Sequence, residues 1–494
     1  MAGHQQLPQP KRFRRLLCVS LVMVHVSILL FWSYSETHSS PSVSSDQHHS
    51  SSAPPPAQGP LGCQPLVPRQ AEPSFVAVNG TKTLLISAYT EHRTGRKEVR
   101  IIAVVLRREA VKYHCLLQCQ GQLQQVRGSS SVHADHFDFE YGTADIMCPL
   151  PAACQTASRV AVLSAAAKSE DSMTFLEVKN QRKSDSFAHN FTVCFSVMFE
   201  FTNVLQLVQS LEMLRLLGVS RVVVYVSSCS RQTWALLNHY TQTGLVEVIP
   251  WSWSRYLNVS RGFIPSQHPG DIHYFGQIPA LNDCVYRYMY QSRYVALQDV
   301  DELILPQTVD SWSELLPILE KKYGADKGYM FENNVFPITI HKLPPASTAP
   351  PLLSPTWHNV TGVNILAHLY QEPIIKETYN WNFKVIVNPR AVFTPTVHGL
   401  LKSQKGCAWV DRTIARMYHT RPAKQPNLKA KQLIYDDRLL SFSKRLIPAV
   451  NTTLRQSGLI PQQNTDRHAV GPVVEKSIKL WTRVHNWLHI AGTN

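Results

Sequence analysis

The sequence predicts an α/β chain: a Rossmann-like domain, preceded by a small β-rich domain, a disordered stem and an N-terminal transmembrane helix. Three observations carry that expectation. A basic cluster is followed by an apolar run of 19 residues. A Ser/Pro-rich stretch then gives way to short β-branched runs separated by Gly or polar turns. Beyond about residue 186, apolar strands alternate with helical spacing. At 494 residues the chain is too long for one ordinary core, so more than one folded unit is expected.

Lys11, Arg12, Arg14 and Arg15 precede the apolar run from Leu16 to Tyr34. A helix of that length rises about 28 Å, enough to cross a hydrocarbon core. The flanking charge leaves residues 1–15 as a cytosolic tail. A cleaved signal peptide is the competing reading, but its apolar region is shorter and ends at a small-x-small site. This run ends in Phe31-Trp32-Ser33-Tyr34, which suits an interfacial belt. No second apolar segment of spanning length follows, so the remainder is expected to be lumenal or extracellular.

Other features fit that compartment. Asn-x-Ser/Thr acceptors stand at Asn79, Asn190, Asn258, Asn359 and Asn451. Ten cysteines are present; Cys18 falls in the apolar run and the other nine could form disulfides, with at least one left over. Cys115 and Cys119 have a spacing reminiscent of zinc sites, but no His/Cys pair stands nearby, and they read as structural. The net charge of +15 suits nucleic acid, anionic lipid or a nucleotide diphosphate. No zinc-finger or RNA-binding signature is present, so a nucleic-acid partner is not expected.

Residues 35–62 are rich in Ser, Pro and His and cannot bury enough surface to fold. Residues 63–185 carry the β-branched runs Thr83 to Tyr89, Glu98 to Leu106, Tyr113 to Cys119 and Arg159 to Ser164, and read as a small β-sandwich-like accessory domain. From residue 186 to 494 the pattern becomes strand and helix. Phe191 to Phe199 reads as a strand. Asn203 to Leu217 has helical apolar spacing and stops at Gly218. Arg221 to Val226 is a strand, Gln232 to Thr243 a helix closed by Gly244, and Leu245 to Pro250 a strand. That order implies a parallel, doubly wound sheet. A helix over Gln277 to Tyr290 then leads to a strand over Tyr294 to Gln298, which runs straight into Asp299-Val300-Asp301.

Ligands of open α/β sheets bind beyond the carboxyl ends of the strands, and Asp299 and Asp301 stand at such an end. Two carboxylates there suit a divalent cation that neutralises a nucleoside-diphosphate leaving group. Mn²⁺ or Mg²⁺ fits, since both accept oxygen ligands. The motif alone is weak: about one arises by chance in roughly 400 to 500 residues. The strand before it, the βαβ setting and the lumenal address give it weight against two solvated carboxylates in a turn.

The runs Phe191 to Phe199, Leu211 to Gly218 and Val222 to Tyr225, then Gln277 to Arg287 and Tyr294 to Pro306, resemble glycosyltransferase family 92 over about Asn190 to His398. The resemblance implies a GT-A fold and an inverting β-1,4-galactosyltransferase that uses UDP-galactose and Mn²⁺. It implies a glycoprotein glycan as acceptor and a Golgi membrane location with the catalytic domain lumenal. It makes Asp299 and Asp301 metal ligands, with Asp299 also on the donor. It adds His398, in Phe393 to Gly399, as the ligand that completes the metal site.

An inverting transfer needs a base for the acceptor hydroxyl. Glu332, a carboxylate in an apolar run, and Asp411 are the candidates, each against the alternative of an ordinary strand carboxylate. Asp283 and Arg287 precede the Asp299 strand and read as donor contacts or as a helix i, i+4 pair. Trp381 and the Trp251/Trp253 pair read as core packing, with an acceptor groove as the alternative. Two rival functions remain: a haloacid-dehalogenase-like phosphohydrolase, and a non-catalytic lumenal lectin or adhesion protein.

Overall fold

The computed structural model describes residues 75–165, 173–342, 357–375 and 382–462. The expected tail, anchor and stem, with Cys18, Cys63 and Trp381, lie outside these residues. Among the described residues no helix is long and apolar enough to cross a membrane.

The first part is a nine-stranded sheet. Its strands are β1 (Val76–Ala77), β2 (Leu84–Glu91), β3 (Glu98–Leu106), β4 (Tyr113–Cys119), β5 (Gln122–Arg127), β6 (Ser129–Val132), β7 (Tyr141–Pro149), β8 (Arg159–Ser164) and β9 (Leu176–Lys179). They run in the order β5-β4-β8-β9-β2-β3-β7-β6, with β1 beside β2. β4 and β7 stand far apart in that order, yet Cys115 and Cys148 join them with Cα atoms 6.0 Å apart. The sheet therefore curls over its own core of Val99, Ile101, Ala103, Leu117 and Val160. Cys119 pairs with Cys154, so both cysteines of the zinc-like spacing are structural. β7 was not visible in the sequence, because Asp145 interrupts its apolar alternation. Asp145 is buried only because Arg100 and His133 pair with it.

The α/β part contains β10 (His189–Met198), α1 (Val204–Leu216), β11 (Arg221–Val226), α2 (Arg231–Gln242), β12 (Val246–Pro250), α3 (Gln277–Arg287) and β13 (Ser292–Leu297). After these come β14 (Glu302–Pro306), α4 (Trp312–Tyr323), β15 (Gly328–Phe331), β16 (Asn333–Pro337), β17 (Tyr370–Gln371) and β18 (Lys384–Val387). The last elements are β19 (Val392–Thr396), β20 (Gly399–Ser403), β21 (Cys407–Trp409), β22 (Ala415–Arg421), β23 (Ile434–Tyr435) and α5 (Ser443–Gln456).

The main sheet has the order β12-β11-β10-β13-β18-β15-β21. Its first four strands are parallel, as the βαβ order predicts, and β18 then pairs antiparallel with β13. Both faces are covered, which is why these strands read as nearly continuous apolar runs. Val193 and Phe195 face the core that holds Leu207, Leu211 and Leu214 of α1. Cys194 and Val223 face the opposite core, with Leu281, Cys284 and Val285 of α3. A Cys194–Cys284 disulfide fixes α3 to β10. The order in which strands are laid down across the sheet reverses between β10 and β13, so a topological switch point opens there, next to Asp299. A smaller sheet, β14-β22-β16, lies beyond it, with Glu302 opposite His419 in register.

Candidate active site

β13 delivers the chain to Asp299, and the turn that follows is closed by its own groups. The Glu302 amide donates to the Asp299 carbonyl at 3.2 Å, and the Asp299 amide donates to Glu302 Oε2 at 2.8 Å. Lys384 opens β18 beside β13, and its Nζ lies 2.8 Å from Asp299 Oδ2 and 3.5 Å from Glu302 Oε2. On β22, His419 Nε2 lies 3.2 Å from Asp301 Oδ2 and Nδ1 lies 3.5 Å from Glu302 Oε1. The amide of Thr420 donates to the Asp301 carbonyl at 2.9 Å. Gln277, the first residue of α3, donates to the Ser196 carbonyl at 2.8 Å and to Asp299 Oδ1 at 3.4 Å.

Burial sorts this cluster into a front and a back. The Asp299 and Asp301 side chains are 36% and 35% exposed, whereas Lys384, Glu302 and His419 are buried behind them. Burial raises the Glu302 carboxyl, Lys384 opposes that, and the repulsion of Asp299 adds to it; the balance stands at about 7. Burial disfavours charge on His419, but Glu302 and Asp301 outweigh it and lift its pKa above the ordinary value. The outward members are thus hard oxygen donors, with buried cations fixing their back oxygens. That donor chemistry fits Mn²⁺ or Mg²⁺.

His398 sits in the β19–β20 turn, half-buried, with Nδ1 3.2 Å from the Phe383 carbonyl. A proton on Nδ1 would donate there and leave Nε2 as a lone pair, the state a metal ligand requires. Burial and the Lys384 charge hold its pKa down at about 4, so the ring is neutral. Among the described residues, however, no three His, Cys, Asp or Glu side chains are grouped at metal-holding spacing.

The two candidate bases separate. Glu332 lies between β15 and β16, 5% exposed, with Arg412 Nε 3.5 Å from its Oε1. Burial raises its pKa, and Arg412 only partly offsets this. Asp411 instead caps a surface turn: its Oδ1 accepts from the Thr413 amide at 2.9 Å and the Thr413 hydroxyl at 2.7 Å. Those bonds lower its pKa, which weakens it as a base.

Asp283 and Arg287 also leave the donor site. Asp283 is fully buried and accepts from Tyr89 at 2.6 Å and Tyr225 at 2.6 Å, while Arg287 Nη2 lies 2.9 Å away. It stands six residues along α3 from Gln277, a rise of about 9 Å. The pair is the i, i+4 alternative, and it seals the β-rich part against the α/β part. Trp251 and Trp253 are buried and pack with Phe75, as core packing predicts. Asn79, Asn190, Asn258 and Asn359 are exposed. Asn451 lies in α5 and its Oδ1 accepts from Trp357 Nε1 at 2.7 Å.

Lys384 and His419 were missed in the sequence. Each carries a faint signal, a single ionisable residue inside a β-branched or aromatic strand: Lys384-Val-Ile-Val387 and Met417-Tyr-His-Thr420. A charge on a buried strand needs a partner, and here the partners are the carboxylates.

Residues 189–457, just over half of the chain, match the model of glycosyltransferase family 92. A glycosyltransferase family 92 protein of Caenorhabditis elegans is 29% identical over 122 residues, a match spanning 24% of this chain and 24% of that relative. The matched family segment runs from β10 through α5, and so contains the switch point, both aspartates, Lys384 and His419. Membership of the family indicates a glycosyltransferase, and the chain belongs to glycosyltransferase family 92.

Proposed function

We propose that this chain moves galactose from UDP-galactose to a terminal sugar of a glycoprotein glycan, with inversion and a β-1,4 linkage. The carrying observation is the outward pair Asp299 and Asp301 at the switch point, with Lys384 and His419 behind them. The parallel strands and the Asp-x-Asp at the end of β13 support a GT-A-type reading of the α/β part. In the reaction, the acceptor hydroxyl oxygen forms a bond to the sugar C1. The bond from C1 to the β-phosphate oxygen breaks, and UDP leaves with the electron pair. The hydroxyl proton passes to a base, for which Glu332 is the remaining candidate.

Asp299 and Asp301 would hold Mn²⁺ or Mg²⁺, with His398 as the expected third ligand. When bound, that cation would neutralise the charge gained by the leaving diphosphate. Lys384 fixes Asp299 and adds positive charge at the same place; His419 orients Asp301. The basic-flanked apolar run and the exposed sequons support a type II Golgi protein with this part in the lumen.

The test is turnover of UDP-galactose by the full chain against an oligosaccharide acceptor array, with Mn²⁺ and with chelator. Transfer that needs both acceptor and cation supports the proposal. Robust phosphate-ester hydrolysis without any sugar acceptor would favour a phosphohydrolase instead.

A further inference from the structure

We infer that the acceptor sugar sits on an aromatic ledge built jointly by the two parts of the protein, with Phe263 and Tyr274 from the loop before α3 and Phe137 from the β-rich part. The inference rests on the sugar-transfer reading and deepens it by assigning the surface that takes the acceptor.

Four rings make the ledge. Phe263 stacks on Tyr274 with centroids 4.8 Å apart and planes at 14°. Phe137 stacks on His273 at 4.2 Å and 14°. Phe263 bridges the two pairs, 6.2 Å from Phe137 and 5.1 Å from His273. Unlike the tryptophans of the same loop, Phe263 is 44% exposed, and Ile264 beside it is 48% exposed. Large apolar groups held open together mark a contact surface.

The ledge connects to the carboxylates through Gln277. Tyr274 begins the short turn Tyr274–Gly276 that feeds directly into Gln277, and Gln277 reaches Asp299 Oδ1. The Tyr274 phenol also feels the charges of Asp299 and Asp301, after burial, in its raised pKa. His273 backs the ledge from beneath, and the half-buried Tyr274 phenol supplies its polar atom. His273 is 3% exposed, and neither ring nitrogen has a hydrogen-bond partner among the described residues.

The β-rich part is held in place to contribute. The Tyr141 amide donates to the Asp271 carbonyl at 3.0 Å, and the Thr396 hydroxyl bonds Asp135. Phe137 is thus fixed against His273 and Phe263 by contacts on both sides of its loop. Aromatic faces with nearby polar atoms suit a neutral hexopyranose, which lays a C–H face on a ring and turns its hydroxyls to the edge. The β-rich part is then a specificity element and not an accessory.

The test uses the full chain, UDP-galactose and oligosaccharides ending in β-galactose, β-N-acetylglucosamine or fucose. Phe263→Ala and Phe137→Ala are expected to raise acceptor KM roughly tenfold, with UDP-galactose KM moving no more than about twofold; Phe263→Tyr should keep the parent value. Unchanged acceptor KM, or equal shifts in both constants, overturns the ledge. Absence of transfer by the unsubstituted chain would instead overturn the sugar-transfer reading, and the ledge with it.

Discussion

Lys384 Nζ lies 2.8 Å from Asp299 Oδ2 and 3.5 Å from Glu302 Oε2, so one buried ammonium serves two carboxylates of the Asp299–Glu302 turn. Its side chain is 4% exposed. Lys384→Met would leave those carboxylates facing each other with only His419 to balance them. The expected outcome is a loss of about 3 kcal/mol or more in denaturant unfolding, together with loss of transfer. Retained activity at parental stability would show that the ammonium is dispensable.

His419 bonds Asp301 through one nitrogen and faces Glu302 with the other. His419→Phe keeps the ring but removes both contacts. Transfer should fall by roughly ten- to a hundredfold, the usual cost of losing the group that orients a ligand. The kinetic check is whether raised Mn²⁺ concentration recovers part of that loss.

The base assignment separates Glu332 from Asp411. Glu332→Gln should lower kcat by roughly a hundredfold or more, and Asp411→Asn should change it little. The pH profile carries the sign. A base must be ionised, and burial raises the Glu332 pKa. Activity should therefore fall as pH drops through a value above the ordinary glutamate range, and Glu332→Gln should lose that acidic limb.

Asp283 tests the structural role of its pair with Arg287 on α3. Burial opposes its charge, but Arg287 and the tyrosine hydroxyls hold its pKa down at about 2. A depressed carboxyl stabilises the fold above its unfolded pKa near 4, and that contribution is lost as pH falls toward 2; the shift corresponds to roughly 2 kcal/mol. Asp283→Asn leaves Arg287 buried with one partner fewer. It should destabilise by about 3 kcal/mol while leaving donor KM unchanged, as measured by urea unfolding and initial rates.

Legibility followed distance along the chain. The strands and helices from β10 to β13 were readable because periodicity is local: Leu207, Leu211 and Leu214 recur on one helix face, β11 is a Val-rich run, and β10 is buried from Phe191 to Phe195. Asp299 and Asp301 were readable because they end such a strand. Lys384 and His419 were not, because they reach the aspartates from 85 and 118 residues away. The same blindness made Asp283 resemble a donor contact. Its partners Tyr89 and Tyr225 lie 194 and 58 residues distant, and nothing near Asp283 in the sequence announces them. Phe137 escaped for the same reason: a loop of the β-rich part gives no sign that it borders the α/β site.

Asp301, at the switch point, is the residue proposed to hold a divalent cation for sugar transfer. The most direct measurement is the UDP-galactose transfer rate of the full chain and of Asp301→Asn, each across a Mn²⁺ titration. Cation-dependent transfer by the parent is expected, with at least roughly a hundredfold lower rate in the variant at any Mn²⁺ concentration. Equal rates, or parental transfer that persists in chelator, would contradict it.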